Sequence, residues 1–346
     1  MKRTYSIIGG MAGSSMDGLD LSHIIFEEKN NSWGFHLKKS ETIPYDDVIH
    51  ALLKDSSSMS TSKQHELDRQ FGKWIGNKIN LFKSDIDVID FVGVHGHTVI
   101  HSPSDKISWQ LGRGDIIAKE IKLPTITEFR TKDVQNGGQG APLVPFGDFK
   151  LFPEYDACLN LGGIANLSLK ENQTAWDICP CNQVLNFYAK KMGDPFDANG
   201  ELAKKGEIDS EFYNLISEID FFKQPPPKSL PNNFISSKTL ESVKPFNGLR
   251  TYCQVIAEQI KASLYQTNPG KLLITGGGAF NNFLIELIKQ GLNKWEIVVP
   301  ESKLINFKES LIFAFLALRR FRNEINVLAS VTGASKDSSS GVIHLP

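Results

Sequence analysis

The segment GGMAGSSMDGLD at residues 9–20 carries the residue types that bind a phosphate group together with a divalent cation. It follows a short apolar run, and its glycines let the backbone turn tightly so that N–H groups converge on an anion. Ser14 and Ser15 add hydroxyl donors. Asp17 and Asp20 would repel bare phosphate, but their oxygens suit phosphate that arrives with Mg²⁺. The segment predicts a magnesium nucleotide site. The alternative, for the glycines alone, is a hairpin turn before the next strand.

Two further glycine turns follow apolar strands in the second half of the chain. Gly162 and Gly163 lie in DACLNLGGIANLSLK, and Gly276, Gly277 and Gly278 lie in KLLITGGGAFNN. Three such turns over two halves of a chain fit a nucleotide held in a cleft between two related domains. The chain contains no GxxxxGK[ST] loop, and no strand is followed by GxGxxG. These absences disfavour a Walker-type or a dinucleotide fold.

Three charged side chains stand where they could act on a substrate. Asp177, in WDICPCNQVLNF, ends a strand before a helix, where a carboxylate serves as a general base or as the cap of that helix. Arg130, in TEFRTKDVQNGGQGAP, can clamp a carboxylate or phosphate, or form a surface ion pair. Glu309 lies in the helical pattern NFKESLIFAFLALRRF, and its neighbours at helical spacing are apolar. A solvated position and a functional role both stay open for Glu309.

Histidines and cysteines raise the question of a zinc site. His95, His97 and His101 alternate in GVHGHTVIHSP, but a glycine and a proline interrupt the strand and no carboxylate motif completes a ligand set. We interpret them as hydrogen-bonding histidines in a cleft. Cys179 and Cys181 have no matching Cys/His pair elsewhere. We interpret them as buried or loop cysteines rather than a metal or redox centre.

Length and composition bound the remaining function classes. The 346 residues are 40% hydrophobic and 22% charged, which is typical of a globular protein with two domains of ordinary size. A net charge of −1 without a basic stripe argues against nucleic-acid and membrane-surface partners. The N-terminal apolar run is too short for a signal peptide, and nothing approaches a membrane span. The 4 cysteines have no framework spacing, so we expect a cytoplasmic protein.

Strand and helix patterns alternate along the chain, which predicts an α/β fold. The glycine-rich segment 133–148 is the expected boundary and hinge between an N-terminal domain at 1–145, completed by 325–346, and a C-terminal domain at 146–324. The proline-rich segment 221–234 is expected to be an extended surface loop. The predicted strands include 5–8, 19–27 and 34–43, and the predicted helices include 182–192, 247–265, 282–292 and 306–322.

The motifs together resemble those of the anhydro-N-acetylmuramic acid kinases, a family of bacterial sugar kinases in the actin, hexokinase and heat-shock ATPase superfamily. GGMAGSSMDGLD resembles MSGTSxDGxD, VGVHGHTVIHSP resembles VGxHGQTxxHxP, and SWQLGRGDIIA resembles QxGxxxxIA. TEFRTKDVQNGGQGAPLVP follows DFRxxDxAxGGQGAPLVP, and NLGGIANLS matches outright. ITGGGAFN, KESLIFAFLA and SVTGAS correspond to GGGxxN, LEAxAFAxLA and SVTGA. The likeness covers nearly the whole chain.

This resemblance implies two ribonuclease H-like (actin-like ATPase) domains with ATP in the cleft between them and the sugar beside it. It implies that water opens the 1,6-anhydro bridge of anhydro-N-acetylmuramic acid at C1 while O6 receives the γ-phosphoryl group, a step of peptidoglycan recycling. Asp177 would activate the water, Glu309 would touch the sugar, and Arg130 would hold the sugar or the transferring phosphate. The implied nucleotide-binding residues are Gly13, Ser14, Ser15, Met16, Asp17, Gly18, Leu19, Asp20, Gly162, Gly163, Gly276, Gly277 and Gly278, with Asp17 and Asp20 as Mg²⁺ ligands.

The chain departs from the family pattern at three sites, one of which is Asn306, where the helix motif has Asn instead of Asp. The motif DTGPxN reads DICPCN, so Ile178 and Cys179 replace Thr and Gly beside the expected base, and KSTGRE reads KSLPNN at 228–233. Retention of the three carboxylates Asp17, Asp177 and Glu309 favours catalysis. A degenerate sensor of nucleotide or muropeptides, a kinase for another sugar, and a homodimeric state stay open.

Overall fold

The computed structural model describes residues 3–13, 16–226, 228–230 and 234–346. Ser14, Ser15 and the end of the KSLPNN segment therefore lie outside the described residues. The strands are β1 Thr4–Ala12, β2 Leu19–Lys29, β3 Ser32–Ile43, β4 Phe91–His95, β5 His97–Ser102, β6 Ile107–Leu111, β7 Thr125–Thr127, β8 Ala157–Leu161, β9 Ile164–Leu169, β10 Thr174–Pro180, β11 Lys271–Thr275, β12 Glu296–Val298 and β13 Val342–His344.

The helices are α1 Asp47–Asp55, α2 Thr61–Phe82, α3 Gly114–Ile121, α4 Thr131–Gln135, α5 Val144–Leu151, α6 Asn182–Lys191, α7 Ser210–Ser217, α8 Asp220–Lys223, α9 Ser237–Leu240, α10 Pro245–Leu264, α11 Asn282–Gly291, α12 Ser302–Phe321 and α13 Ala329–Thr332. Short 3-10 helices lie at Ser56–Ser58, Pro103–Asp105, Ala198–Gly200, Ala203–Lys205 and Gly277–Phe280. The four predicted helices are confirmed as α6, α10, α11 and α12, with α12 beginning earlier than its pattern indicated. None of the helices in the described part of the chain combines the length and apolar character that a membrane crossing requires.

The chain divides into two compact units, Met1–Pro153 with Phe307–Pro346, and Glu154–Asn306. The first division falls after α5 and the second falls within α12. The domains expected at 1–145 with 325–346 and at 146–324 stay a prediction. The glycine-rich segment 133–148 lies inside the first unit.

The two units repeat one sheet topology. In the first, the strand order is β13-β7-β4-β1-β2-β3, with β1, β2 and β3 antiparallel in succession and β1, β4 and β7 parallel. In the second, the order is β10-β9-β8-β11-β12, with β8, β9 and β10 antiparallel in succession and β8, β11 and β12 parallel. When the strands are numbered in chain order within each of these two sheets, both contain the order 3-2-1-4-5. This order confirms the predicted ribonuclease H-like α/β fold.

Alternation along β1 distributes the first unit's core over both faces of its sheet. Ile8 belongs to a fully buried cluster that includes residues of α2 and α3. Gly9 faces α12, where an added Cβ would lie 2.0 Å from the backbone oxygen of Ser310. Gly93 in β4 makes the same kind of approach to Ala317. The expectation that Gly9 and Gly10 form the turn is wrong, because both lie inside β1, and at Gly9 the close approach of α12 requires glycine.

The second unit has its own core. Strands β8 and β11 contribute fully buried residues such as Leu159 and Ile274, which pack with α6, α10 and α11 through residues such as Tyr252 and Leu284. Helix α11 begins directly after Asn281, whose side chain accepts a hydrogen bond from the backbone N–H of Leu284 at 3.0 Å. This sheet positions the ends of β8, β10 and β11.

Candidate active site

The expected nucleotide loop of the first unit connects β1 and β2. Ala12 pairs with Leu19 and Met11 with Asp20, so the loop is the turn of an antiparallel hairpin. Met16 adopts a left-handed φ of 57°. Gly18 lies so close to β3 that an added Cβ would be 2.5 Å from the backbone oxygen of Ile43. The hairpin alternative is therefore correct for the backbone, and nucleotide binding by this turn stays a prediction.

Asp17 and Asp20 differ in their surroundings. Asp17 is exposed, whereas Asp20 is half-buried and its Oδ1 accepts a hydrogen bond from the Thr42 hydroxyl at 2.5 Å. Burial raises the pKa of Asp20 to about 6, and the negative charges of Asp17 and Glu309 act in the same direction. The first unit thus concentrates carboxylates near its hairpin turn.

Arg130 is not part of a surface ion pair. Its Nε donates to His95 Nε2 at 2.9 Å and its Nη1 donates to the backbone oxygen of Gly140 at 2.8 Å. Because Nε2 accepts, the neutral His95 ring carries its proton on Nδ1. Burial and the adjacent guanidinium lower the pKa of His95 well below its usual range. Burial also lowers the pKa of Arg130 to about 10, so this side chain stays cationic at neutral pH.

His95 confirms the hydrogen-bonding interpretation, and its ring also packs on Phe313, with ring centroids 4.5 Å apart. His97 is buried and begins β5, and His101 Nδ1 lies 3.0 Å from the Ser108 hydroxyl. The described residues hold no group of three or more His, Cys, Asp or Glu side chains arranged to bind a metal ion.

Glu309 occupies a partly buried position in α12. Burial raises its pKa, the positive charges of Lys308 and Arg130 oppose this, and the charges of Asp148 and Asp17 add to it. Lys308 Nζ and Asp148 Oδ1 form an ion pair at 3.0 Å, with each side chain only 3% exposed. A fully solvated position for Glu309 is therefore wrong. Sequence reasoning missed the Lys308 and Asp148 pair, because α12 and α5 meet only in the folded unit.

The glycine-rich segment is held in place by buried hydrogen bonds. Asp133 is fully buried; its Oδ2 accepts from the Gly140 N–H at 2.7 Å, and its Oδ1 accepts from the Thr332 hydroxyl at 2.7 Å. An added Cβ at Gly138 would lie 2.2 Å from Asp133 Oδ2. Gly140 donates its N–H to Asp133, and its C=O accepts a hydrogen bond from Arg130. The segment therefore positions Arg130. The expectation of a hinge in this segment stays a prediction.

In the second unit, Asp177 lies in β10 at a β-bulge that shifts the register with β9 between Asp177 and Cys179. Its N–H donates to the backbone oxygen of Lys228 at 2.9 Å, and its Oδ2 accepts from the N–H of Leu230 at 2.8 Å and from the Ser229 hydroxyl at 3.2 Å. Burial raises the pKa of Asp177, and the two donors oppose the rise.

The capping alternative for Asp177 is wrong, because α6 begins at Asn182 with Cys181 at the cap position. Ile178 and Cys179 replace the family's Thr and Gly without requiring a positive φ, since neither residue has one. Cys179 and Cys181 are both fully buried in the core, which confirms the interpretation as buried cysteines.

The two glycine turns of the second unit come together at the ends of β8 and β11, which pair in parallel up to Asn160 and Thr275. Asn182 ties the first turn to α6, since its N–H donates to the backbone oxygen of Gly162 at 3.0 Å. At Gly276, which has a φ of 82°, an added Cβ would lie 2.7 Å from Asn160 Oδ1. Binding of a phosphate-bearing ligand by these two adjacent turns stays a prediction.

Comparison with known proteins decides the family. The family model for anhydro-N-acetylmuramic acid kinase matches residues 5–346. The chain belongs to the anhydro-N-acetylmuramic acid kinase family. Curated relatives with this name include those of Photobacterium profundum, 33% identical over 97% of this chain and 98% of that protein, and of Actinobacillus pleuropneumoniae, 32% identical over 97% and 98%. A relative from Rhodopseudomonas palustris is 30% identical over 98% and 99%.

Proposed function

We propose that this chain is an ATP-dependent kinase that opens 1,6-anhydro-N-acetylmuramic acid with water and phosphorylates O6, giving N-acetylmuramic acid 6-phosphate and ADP. The supporting observation is the family match over residues 5–346, together with relatives about a third identical over nearly their full length. The reaction is a step of peptidoglycan recycling, and its need for ATP fits the cytoplasm.

The proposed reaction requires a base. The oxygen of water bonds to C1, the C1–O6 bond breaks, O6 bonds to the γ-phosphorus, and the bond from that phosphorus to ADP breaks. The proton of water goes to a carboxylate, for which we propose Asp177. Burial raises the pKa of this carboxylate, which makes it a stronger base than an exposed aspartate.

Arg130 and Glu309 are proposed to bind substrate groups in the first unit. Nε and one N–H of Nη1 of Arg130 already donate to His95 and Gly140, so we propose that the remaining N–H groups of Nη1 and Nη2 donate to a ligand oxygen. A guanidinium fixed in this way can hold a phosphoryl or sugar oxygen without first losing rotamer freedom. Glu309 is proposed to accept a hydrogen bond from a sugar hydroxyl.

We propose that the hairpin turn 13–20 and the turns at Gly162–Gly163 and Gly276–Gly278 bind ATP. Asp17 and Asp20 fit Mg²⁺ as oxygen ligands, because burial and the charges of Asp17 and Glu309 make the Asp20 carboxylate costly to ionise without a cation. When bound, Mg²⁺ would neutralise charge on the phosphates.

The test is product analysis in ¹⁸O-labelled water. The purified chain is mixed with magnesium ATP and 1,6-anhydro-N-acetylmuramic acid, and ADP and product mass are measured at early times. We expect one ADP per sugar 6-phosphate, with one ¹⁸O in the sugar and none in its phosphate group. Inorganic phosphate with unchanged sugar would contradict the proposal. Sugar and nucleotide binding without ADP release would favour a non-catalytic sensor.

A further inference from the structure

We propose that Ser229 and the backbone of Leu230 form a clamp that holds Asp177 by Oδ2 and leaves Oδ1 as the oxygen that receives the proton of water. Ser229 is then a positioning residue for the reaction. This inference rests on the proposed function and deepens it.

The hydrogen bonds at Asp177 divide unequally between its two oxygens. Oδ2 accepts both the Leu230 N–H at 2.8 Å and the Ser229 hydroxyl at 3.2 Å. Oδ1 accepts no hydrogen bond from the described residues of the chain. It is also not one of the side-chain oxygens that are both buried and without a hydrogen-bond partner. A carboxylate fixed by one oxygen presents the other at a defined angle, which is the geometry that a general base requires.

The segment that carries the clamp is itself anchored. The Lys228 carbonyl accepts the Asp177 N–H at 2.9 Å, and the Lys228 ammonium donates to the carbonyl of Phe221 at 2.9 Å while lying 4.6 Å from the centroid of the Phe221 ring. Leu230 is buried, with 7% of its surface exposed. The neighbours of Ser229 on both sides, Lys228 and Leu230, are thus fixed. The Ser229 hydroxyl therefore donates to Oδ2 without the entropic cost of ordering a flexible loop.

Burial is the largest influence on the pKa of Asp177 and raises it, while the hydrogen bonds from Leu230 and Ser229 lower it. The titratable neighbours on its own strand and on the clamp segment are Cys179 and Lys228. Burial raises the pKa of Cys179, so its thiol stays protonated. The Lys228 ammonium is directed to the carbonyls of Phe221 and Phe222. The donors therefore act by stabilising the ionised carboxylate against burial.

The test combines a pH profile with a direct titration of Asp177. Ser229→Ala removes a donor to the ionised form, so the pKa of Asp177 should rise by about one unit. We expect the acidic limb of the kcat profile to move up by about the same amount, with kcat falling up to about tenfold on that limb and KM for the sugar changing less than about twofold. Ser229→Thr, which keeps the hydroxyl, should restore the parent profile. Ser237→Ala, at an exposed serine nearby, is the matched control and should leave it unchanged.

NMR titration of ¹³C-labelled aspartate measures the pKa of Asp177 without requiring turnover, and Asp177→Asn assigns the signal. An unchanged Asp177 titration in Ser229→Ala would overturn the clamp. A raised KM with an unmoved acidic limb would overturn it as well, since Ser229 would then be a sugar contact. A shifted titration in a protein that releases no ADP would support the clamp while rejecting the proposed function.

Discussion

Asp148→Asn should destabilise the first unit far more than an ordinary loss of a surface charge. Asp148 and Lys308 are each 3% exposed and their charged atoms lie 3.0 Å apart. Asparagine keeps the shape of the side chain and removes its charge, which leaves a buried ammonium without this carboxylate. Breaking one side of a buried pair costs about 3–5 kcal/mol, because the remaining charge has lost its hydration and its partner.

The matched control is Asp85→Asn in the same unit. Asp85 also pairs with a lysine, Lys39, at 2.6 Å, but Asp85 is 65% exposed and Lys39 is 34% exposed. Solvent screens this pair, so we expect no measurable change in stability. The two substitutions remove the same charge from the same pair of residue types and differ chiefly in burial.

Native-state hydrogen exchange of the first unit's central strands is the assay, since it reports the opening free energy of that unit independently of the second. Equal effects of Asp148→Asn and Asp85→Asn would refute the reasoning. Replacing both Asp148 and Lys308 by apolar residues should recover most of the loss. The charges of Lys308 and Asp148 also act oppositely on Glu309, so Lys308→Met should raise the pKa of Glu309 and Asp148→Asn should lower it.

Three further outcomes are expected. Asp177→Asn should lower kcat about 10²- to 10⁴-fold while nucleotide affinity, measured by calorimetry, stays within about twofold; near-parental turnover would remove Asp177 as the base. The pKa of Asp20 is raised to about 6 in the folded protein. The contribution of protonated Asp20 to the free energy of unfolding is therefore greatest below about pH 4 and is lost as pH rises through 6. Asp20→Asn should therefore raise the free energy of unfolding by roughly 1–2 kcal/mol at pH 7 in a chelator, with the gain vanishing near pH 4 in denaturant titrations. Gly9→Ala places a Cβ 2.0 Å from the Ser310 oxygen and should cost roughly 1–3 kcal/mol or more in thermal unfolding, whereas Gly34→Ala, with its nearest atom at 4.0 Å, should cost little.

The sequence by itself determined the family, the repeated α/β plan and the long helices. Hydrophobic periodicity is a local property, so the pattern of α12 or α10 is readable without knowing what the helix packs against. Glycine turns after strands are local too, which is why Gly162 and Gly276 were recognised as turns. The motifs also marked Asp177, Arg130 and Glu309 as candidates.

Only the tertiary structure decided what surrounds these candidates. Asp177 accepts a hydrogen bond from Ser229, a residue distant in the chain, and Arg130, at the start of α4, is oriented by His95 at the end of β4. Gly9 is a packing position and not a turn, because α12 crosses β1 there. Burial, hydrogen-bond partners and pKa depend on residues that the chain brings together only on folding. A sequence pattern therefore identifies a carboxylate, and the fold determines which of its oxygens is left to react.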